Sequence, residues 1–335
     1  MKRVLVHGFG SIGQRHLRVI REQDPGLSLA VLSEHGTHRF AGDTDVQVFT
    51  NMPEAQSFQP DAVVVANAAV AHVASAKAWL QTGAHVLVEK PVSVDLDGVD
   101  ELTQLAQTNR CTFQVGYNLR YAPGLRLLHS WCLQRRLGRI HSARLEVGQH
   151  LASWRKNIDP LRSVSAQRSL GGGVLLELSH EIDYLQWILG PVKWVSSHLL
   201  RQGSWQIDVE DTALLVLGLS GPDHCVASVQ LDFVRHDATR TCTLIGEMGS
   251  LRWNGLTGHV EFYRQDADAW QTLEHVPPER DATYRIQWDG FALACRTGAV
   301  PEVTLRDGAC VLRVVDAARR SASAGGARVD VESFA

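Results

Sequence analysis

The sequence has no apolar run near the roughly 20 residues that a membrane-spanning helix requires. It also has no C-x-x-C pair among its six cysteines and no internal repeat. The first absence excludes a helical membrane protein. The second, with cysteines scattered at 111, 132, 225, 242, 295 and 310, argues against a disulfide framework or a zinc site. It fits idle thiols in a reducing cytoplasm. The opening "MKRVLVHGFG" holds a three-residue apolar run, too short for the core of a secretion signal. A cytoplasmic protein is therefore expected, with no bound metal. An excess of one charge is missing too. Thirty-three basic and 36 acidic side chains leave −3, so nothing global draws the chain to nucleic acid or to an anionic membrane. What is present is globular composition, 44% hydrophobic and 21% charged, in 335 residues, enough for two domains of ordinary size.

The first 120 residues alternate strand and helix patterns. "RVLV" (3–6) is a short apolar strand that runs into Gly8-Phe9-Gly10-Ser11-Ile12-Gly13 and then a helical pattern. This is G-x-G-x-x-G after a strand and opening a helix, the context in which the spacing signals a dinucleotide. Gly8 permits the tight turn, Gly10 the approach to the pyrophosphate, and Gly13 the closure of helix on strand. The helix start, with Ser11 and Ile12, offers N–H groups and a positive dipole end to phosphates. Further strands are expected at 27–33, 61–67, 85–90 and in "CTFQVGYN", and helices in "AVAHVASAKAWLQTG" and "VDLDGVDELTQLAQTN". Such alternation implies a doubly wound parallel sheet with its ligand beyond the carboxyl ends of the strands. That rule selects Asn67, Glu89, Lys90, Tyr117 and Asn118, and His72, at the start of the neighbouring helix, is a further expected cofactor contact. Glu34, 21 residues past Gly13, suits the ribose 2′-hydroxyl of NAD. Ser33, His35, Thr37, His38 and Arg39 around it suit a 2′-phosphate and tip the reading slightly to NADP, with NAD kept open.

Lys90 stands between a buried strand and Pro91, whose ring restricts the backbone and makes a cis bond accessible. A lysine there can hold a substrate hydroxyl or pass a proton; it can equally be a solvated charge at a strand end. With the glycine spacing, "EKP" (89–91) and the later "GGGVLLELSHEID" (171–183), the chain resembles the Gfo/Idh/MocA oxidoreductase family. "VGYNLRY" (115–121), "EDTALLVL" (210–217) and the final "DGACVLRVVDAARRSASAGGARV" extend the likeness over essentially the whole length. The resemblance implies a Rossmann domain, residues 1–120, and a C-terminal α/β domain, residues 121–335. The open sheet of the second domain would bind substrate and pack against another subunit in a homodimer or homotetramer. It also implies NAD(P)-linked oxidation or reduction of a sugar or sugar derivative. The narrower likeness is to members found with nonulosonate and surface-polysaccharide synthesis.

After a helix at about 123–136 the second half reads as successive strands with short turns, hence a largely antiparallel sheet, closed by a helix near 306–322. Between them "SWRKNIDPLRSVSAQRSL" collects Arg155, Lys156, Arg162 and Arg168. These form either a solvated charged loop or a grip for a carboxylate or phosphate. Trp154 can stack on the nicotinamide or on a sugar ring. For the glycine-led segment, Glu177, His180 and Asp183 at three-residue spacing can share one helical face. The family pattern is Asp, His four residues on, then Asp three beyond. Glu177 departs from it in type and by one residue. His180 is the candidate acid/base, Lys90 and Glu177 the other catalytic candidates, and Tyr117, Arg155, Arg162, Arg168 and Asp183 the substrate contacts beside Lys90. Two other readings stay open: a dinucleotide-binding regulator without catalysis, and an enzyme whose retained cofactor serves internal redox such as epimerisation or elimination.

Overall fold

The computed structural model describes residues 1–34, 45–154 and 159–332. The chain forms two compact units, Met1–Asn118 with Arg280–Ala309, and Leu119–Glu279 with Cys310–Ala335.

The first unit runs β1 (Arg3–His7), α1 (Ser11–Gln23), β2 (Ser28–Leu32), β3 (Val46–Phe49) and α2 (Met52–Ser57). It continues through β4 (Ala62–Val65), α3 (His72–Gln81), β5 (His85–Val88), α4 (Val99–Thr108) and β6 (Phe113–Val115). The six strands order as β3-β2-β1-β4-β5-β6 and are parallel at every pairing. β4 is buried at all four positions, as a strand covered on both faces must be. Chain order reverses beside β1, so the β1–β4 junction is the switch point where doubly wound sheets bind ligands. Helix α4 begins at Val99, not at Val94, because the Asp95 carboxylate accepts the N–H of Asp97 and holds a turn that competes with helix.

The second unit opens with α5 (Pro123–Leu133), β7 (Ile140–Gly148) and the short α6 (Leu151–Trp154). Then come α7 (Val174–Glu177), α8 (His180–Leu189) and the strands β8 (Val192–Leu200), β9 (Thr212–Leu219), β10 (Val226–Asp232) and β11 (Thr239–Gly246). β12 (Gly249–Asn254), β13 (His259–Arg264) and β14 (Gln271–His275) complete the run. Two helices follow, α9 (Ala282–Thr297) in the first unit and α10 (Leu305–Ser323), which passes from the first unit to the second, then β15 (Val329–Asp330). The nine-stranded sheet orders as β14-β13-β12-β11-β7-β10-β9-β8-β15. It is antiparallel except for β7 with β10. β9 and β10 alternate buried and exposed positions along most of their length, the mark of a sheet with one face on a core.

The segment 171–190 is two helices, not one. The Ser179 hydroxyl donates to Leu176 O at 2.9 Å and the helix restarts at His180. The single face expected to carry Glu177, His180 and Asp183 is therefore interrupted between the first two.

Candidate functional site

At the switch point the backbone itself makes a cradle. Gly8 has φ +101°, and a Cβ on it would sit 2.5 Å from the Asn67 nitrogen. A Cβ on Gly13 would overlap the Gly8 carbonyl oxygen outright, so α1 and the β1 turn come together only as glycines. Over Gly10, the residue that caps α1, no atom of the described residues lies within 4 Å of a built Cβ. The first-turn N–H groups of α1, including those of Ser11 and Ile12, have no intrahelical acceptor. Beside them Asn67 donates through Nδ2 to Ser75 Oγ at 2.8 Å, while its buried Oδ1 receives no hydrogen bond among the described residues. Space over a helix N-terminus and an unmet buried acceptor fit a dinucleotide, the N–H groups for its pyrophosphate and Oδ1 for a hydroxyl.

The floor of this region is built from buried histidines. His7 ends β1 and accepts from Trp79 Nε1 at 3.2 Å. Burial, helped by neighbouring His72, pushes His7 down to about 4. His72 opens α3, with Nδ1 2.8 Å from Pro91 O and Nε2 3.2 Å from Asn67 O. Burial holds it below its usual range against the pull of both carbonyls. A neutral ring has one hydrogen, and the shorter contact places it on Nδ1. Beyond β5, Glu89 is buried with Oε1 2.6 Å from His16 Nε2, and its Oε2 accepts the Lys90 N–H at 3.1 Å. Burial pushes the Glu89 carboxyl up, but the hydrogen bond and charge of His16, with Lys90, outweigh it and hold the carboxyl below its ordinary value. The Lys90–Pro91 peptide is cis. Asn118 donates to Thr283 Oγ1 at 2.7 Å, and Tyr117 is fully buried. Ser33 and exposed Glu34 follow the end of β2. His35, Thr37, His38 and Arg39 lie outside the described residues.

In the second unit the arrangement centres on α8. His180 begins the helix, nearly buried, and Glu177 ends α7. Arg120 grips Asp183 with both ends of its fork, Nε to Oδ2 at 2.9 Å and Nη2 to Oδ1 at 2.6 Å. Arg240 Nε lies 2.9 Å from Oε1 of fully buried Glu181. Two arginines thus anchor the first turn that carries His180. The three preceding glycines serve backbone packing. Gly172 and Gly173 donate to Gln167 O and Ser165 O, and a Cβ on Gly173 would collide with the Glu210 carboxylate. Trp154 donates to Gln149 O at 3.0 Å and sets its ring edge-on to Phe233. Arg168 is committed to Asp208, whose carbonyl accepts from its guanidinium and whose carboxylate accepts from its N–H. Arg162 stays 87% exposed beside Asp159. Arg155 and Lys156 lie outside the described residues.

Within each unit, then, the expected residues divide. Gly8, Gly10, Gly13, Asn67, Glu89 and Lys90 share the strand-end region of the first unit. Tyr117 is fully buried, and Asp183 is held by Arg120. His16, Arg120, Glu181 and Arg240 were not among the expected residues. His16 lies three residues past Gly13 in a helical pattern, where a polar residue announces nothing by itself.

Comparison with known proteins adds the context. Residues 2–117 match the family model described as an oxidoreductase family, NAD-binding Rossmann fold. Residues 132–331 match its C-terminal alpha/beta domain. An uncharacterized oxidoreductase of Synechocystis is 29% identical over 203 residues, 57% of this chain and 53% of that protein, so the match spans about half of its length. Inositol 2-dehydrogenase 2 of Saccharopolyspora erythraea is 26% identical over 322 residues, 86% of this chain and 89% of that protein. Among solved structures, GenD2 from gentamicin A biosynthesis in complex with NAD superposes with a TM-score of 0.84 at 26% identity. It covers 99% of this chain and 97% of that one. With both domain models matched in order over most of its length, this chain belongs to the Gfo/Idh/MocA family of NAD-binding oxidoreductases.

Proposed function

We propose that the chain is a nicotinamide-dependent dehydrogenase or reductase of sugars or polyols, interconverting a CH–OH carbon and a carbonyl. The observation that carries this reading is the first unit's strand-end region. A cradle fit for a dinucleotide, with the unmet Asn67 Oδ1, stands in the same sheet as Lys90 at the end of β5. The inositol dehydrogenase relative supports a polyol-type substrate.

When bound, the nicotinamide supplies the hydride acceptor or donor. The remaining work falls to side chains. Lys90 offers an ammonium to the substrate oxygen and stabilises the charge that builds as its proton leaves. His180 takes that proton in oxidation and returns it in reduction, a task suited to imidazole near neutral pH. Glu177 is the adjacent carboxylate, one residue nearer than the family's aspartate. NAD is the better supported cofactor. Glu34, just past β2, suits a 2′-hydroxyl, and a 2′-phosphate there would meet a like charge. Exposed Arg162 favours a sugar acid over a neutral sugar.

The test is a screen of sugars, sugar acids and nucleotide-sugars for reduction of NAD and NADP, followed by Lys90→Ala and His180→Ala on the best pair. Each variant is expected to lose about 100-fold or more in kcat while NADH affinity stays within a few-fold. A near-normal rate in either removes that residue from the chemistry, and tight binding of NADPH that Glu34→Ala leaves unaltered removes the cofactor assignment. Assembly is part of the same reading. The sheet face bearing Leu214 (41% exposed), Val216 (42%) and Val226 is proposed to meet a second copy.

A further inference from the structure

The peptide around Lys90 is anchored on both sides by buried histidines from two different helices. On the near side, His16 of α1 sets Nε2 2.6 Å from Glu89 Oε1, and the other oxygen of that carboxylate accepts the Lys90 N–H at 3.1 Å. An ionised carboxylate only accepts, so the hydrogen sits on His16 Nε2. On the far side, His72 of α3 donates through Nδ1 to Pro91 O at 2.8 Å. His16, Glu89 and His72 are all buried, so water cannot replace these partners at little cost. His16 is itself held. The Tyr284 ring meets it edge-on at 5.5 Å, Arg15 lies 4.8 Å over that ring, and Arg15 Nε pairs with Asp281 at 3.2 Å. Gly116 completes the fit, since a Cβ there would come within 3.1 Å of Glu89 Oε2.

We infer that His16 and His72 are positioning residues for Lys90, fixing the backbone on either side of it and so the direction in which its ammonium leaves the sheet. The inference rests on the reading of Lys90 as the residue that holds the substrate oxygen. Neither histidine needs to touch substrate or dinucleotide. The near anchor is the stronger, because it is charge-assisted and ends on the Lys90 amide itself. Without His16 the buried Glu89 charge loses its nearest donor. The carboxyl then takes up a proton or turns away, and in either case its grip on the Lys90 N–H weakens.

The experiment reads the anchor directly, without substrate. Amide hydrogen exchange of the full chain, with and without NADH, is followed at Lys90 and at Val86–Val88 in the wild type, His16→Ala, His16→Gln and His72→Ala. His16→Ala is expected to speed exchange at Lys90 by 10-fold or more with the β5 amides unchanged and NADH affinity within two-fold. His16→Gln, which keeps an N–H for Glu89, restores most of the protection and serves as the readable variant should the alanine form not fold. His72→Ala gives a smaller change in the same direction. A double-mutant cycle then uses NAD and the sugar that the screen returns. His16→Ala lowers kcat by 10-fold or more in the wild type, with KM little changed, and by less than two-fold in the Lys90→Ala background. Unchanged Lys90 protection in His16→Ala overturns the inference, as does an equal loss of kcat in both backgrounds; in each case the role of Lys90 still stands. A Lys90→Ala enzyme of normal rate defeats the reading of Lys90, and the inference with it.

Discussion

The two sheets of this chain place their apolar residues differently. Along β4 every side chain from Ala62 to Val65 is buried, so either direction out of the strand meets packed helix. Along β9, Ala213, Leu215 and Leu217 are buried while Leu214 and Val216 between them remain about 40% exposed. The first pattern demands an apolar residue at each position. The second demands one at every other position and leaves the rest to solvent or a partner. Burial shifts ionisable groups in both units. In the first unit burial pushes His7 down to about 4, and in the second it pushes the thiol of Cys225 up to about 11.

The sharpest way to break this comparison is at the first unit's closest backbone approach. Gly13→Val is expected to abolish NADH binding and to destabilise the unit by about 4 kcal/mol or more, because its Cβ has nowhere to go but into the Gly8 carbonyl. Fluorescence titration and urea unfolding check it. Next comes the alternation itself. Val63→Asn and Val64→Asn should each cost about 3–5 kcal/mol, since an amide without partners is buried on either face. In β9 Leu215→Asn should cost as much, and Leu214→Asn far less. Equal losses for Leu214→Asn would show that face to be covered in solution.

Acid should distinguish the units as well. In the unfolded chain His7 binds a proton below 6.5, in the fold only below about 4. Its stabilisation is therefore complete above pH 6.5 and is lost as pH falls through about 4. At about 1.4 kcal/mol per pH unit it is worth about 3 kcal/mol. For Cys225 the sign reverses: the fold keeps its proton up to about 11, so its contribution fades as pH rises from 9 to 11. Hydrogen exchange from pH 7 to 4 should show the first unit opening before the second, and His7→Phe should blunt the difference. The smallest effect belongs to the exposed face. Leu214→Glu should change stability by about 0.5 kcal/mol or less, yet lower the particle mass seen by light scattering if a second copy sits there.

Much of this architecture could be read from the chain alone, for reasons tied to these same differences. Strands buried on both faces leave unbroken apolar runs such as "AVVV", and the glycine spacing records a backbone contact that no other residue tolerates. The antiparallel strands of the second unit are legible as successive strand patterns joined by short turns with no helix between them. What went unread had weaker local signatures. β3 has four residues, two of them exposed. Helix α9 carries Tyr284, Trp288, Phe291, Ala292 and Cys295 at helical spacing. Its membership of the first unit, 160 and more residues after that unit's last strand, is a long-range fact. The parallel pairing of β7 with β10 likewise leaves no mark in either strand.

The sequence by itself determined the family, the doubly wound sheet, the dinucleotide cradle and the identity of Lys90 and His180 as the residues to test. Each depends on residue types at short spacing, which the chain states locally. Only the tertiary structure decided how those side chains are supported. It broke the 171–190 segment into two helices, committed Asp183 to Arg120 and Arg168 to Asp208, and brought His16 to Glu89 across 73 residues of chain. Hydrogen-bond partners of buried charges are chosen by proximity in the folded core, where water cannot serve, and proximity over such separations is not written in any local pattern.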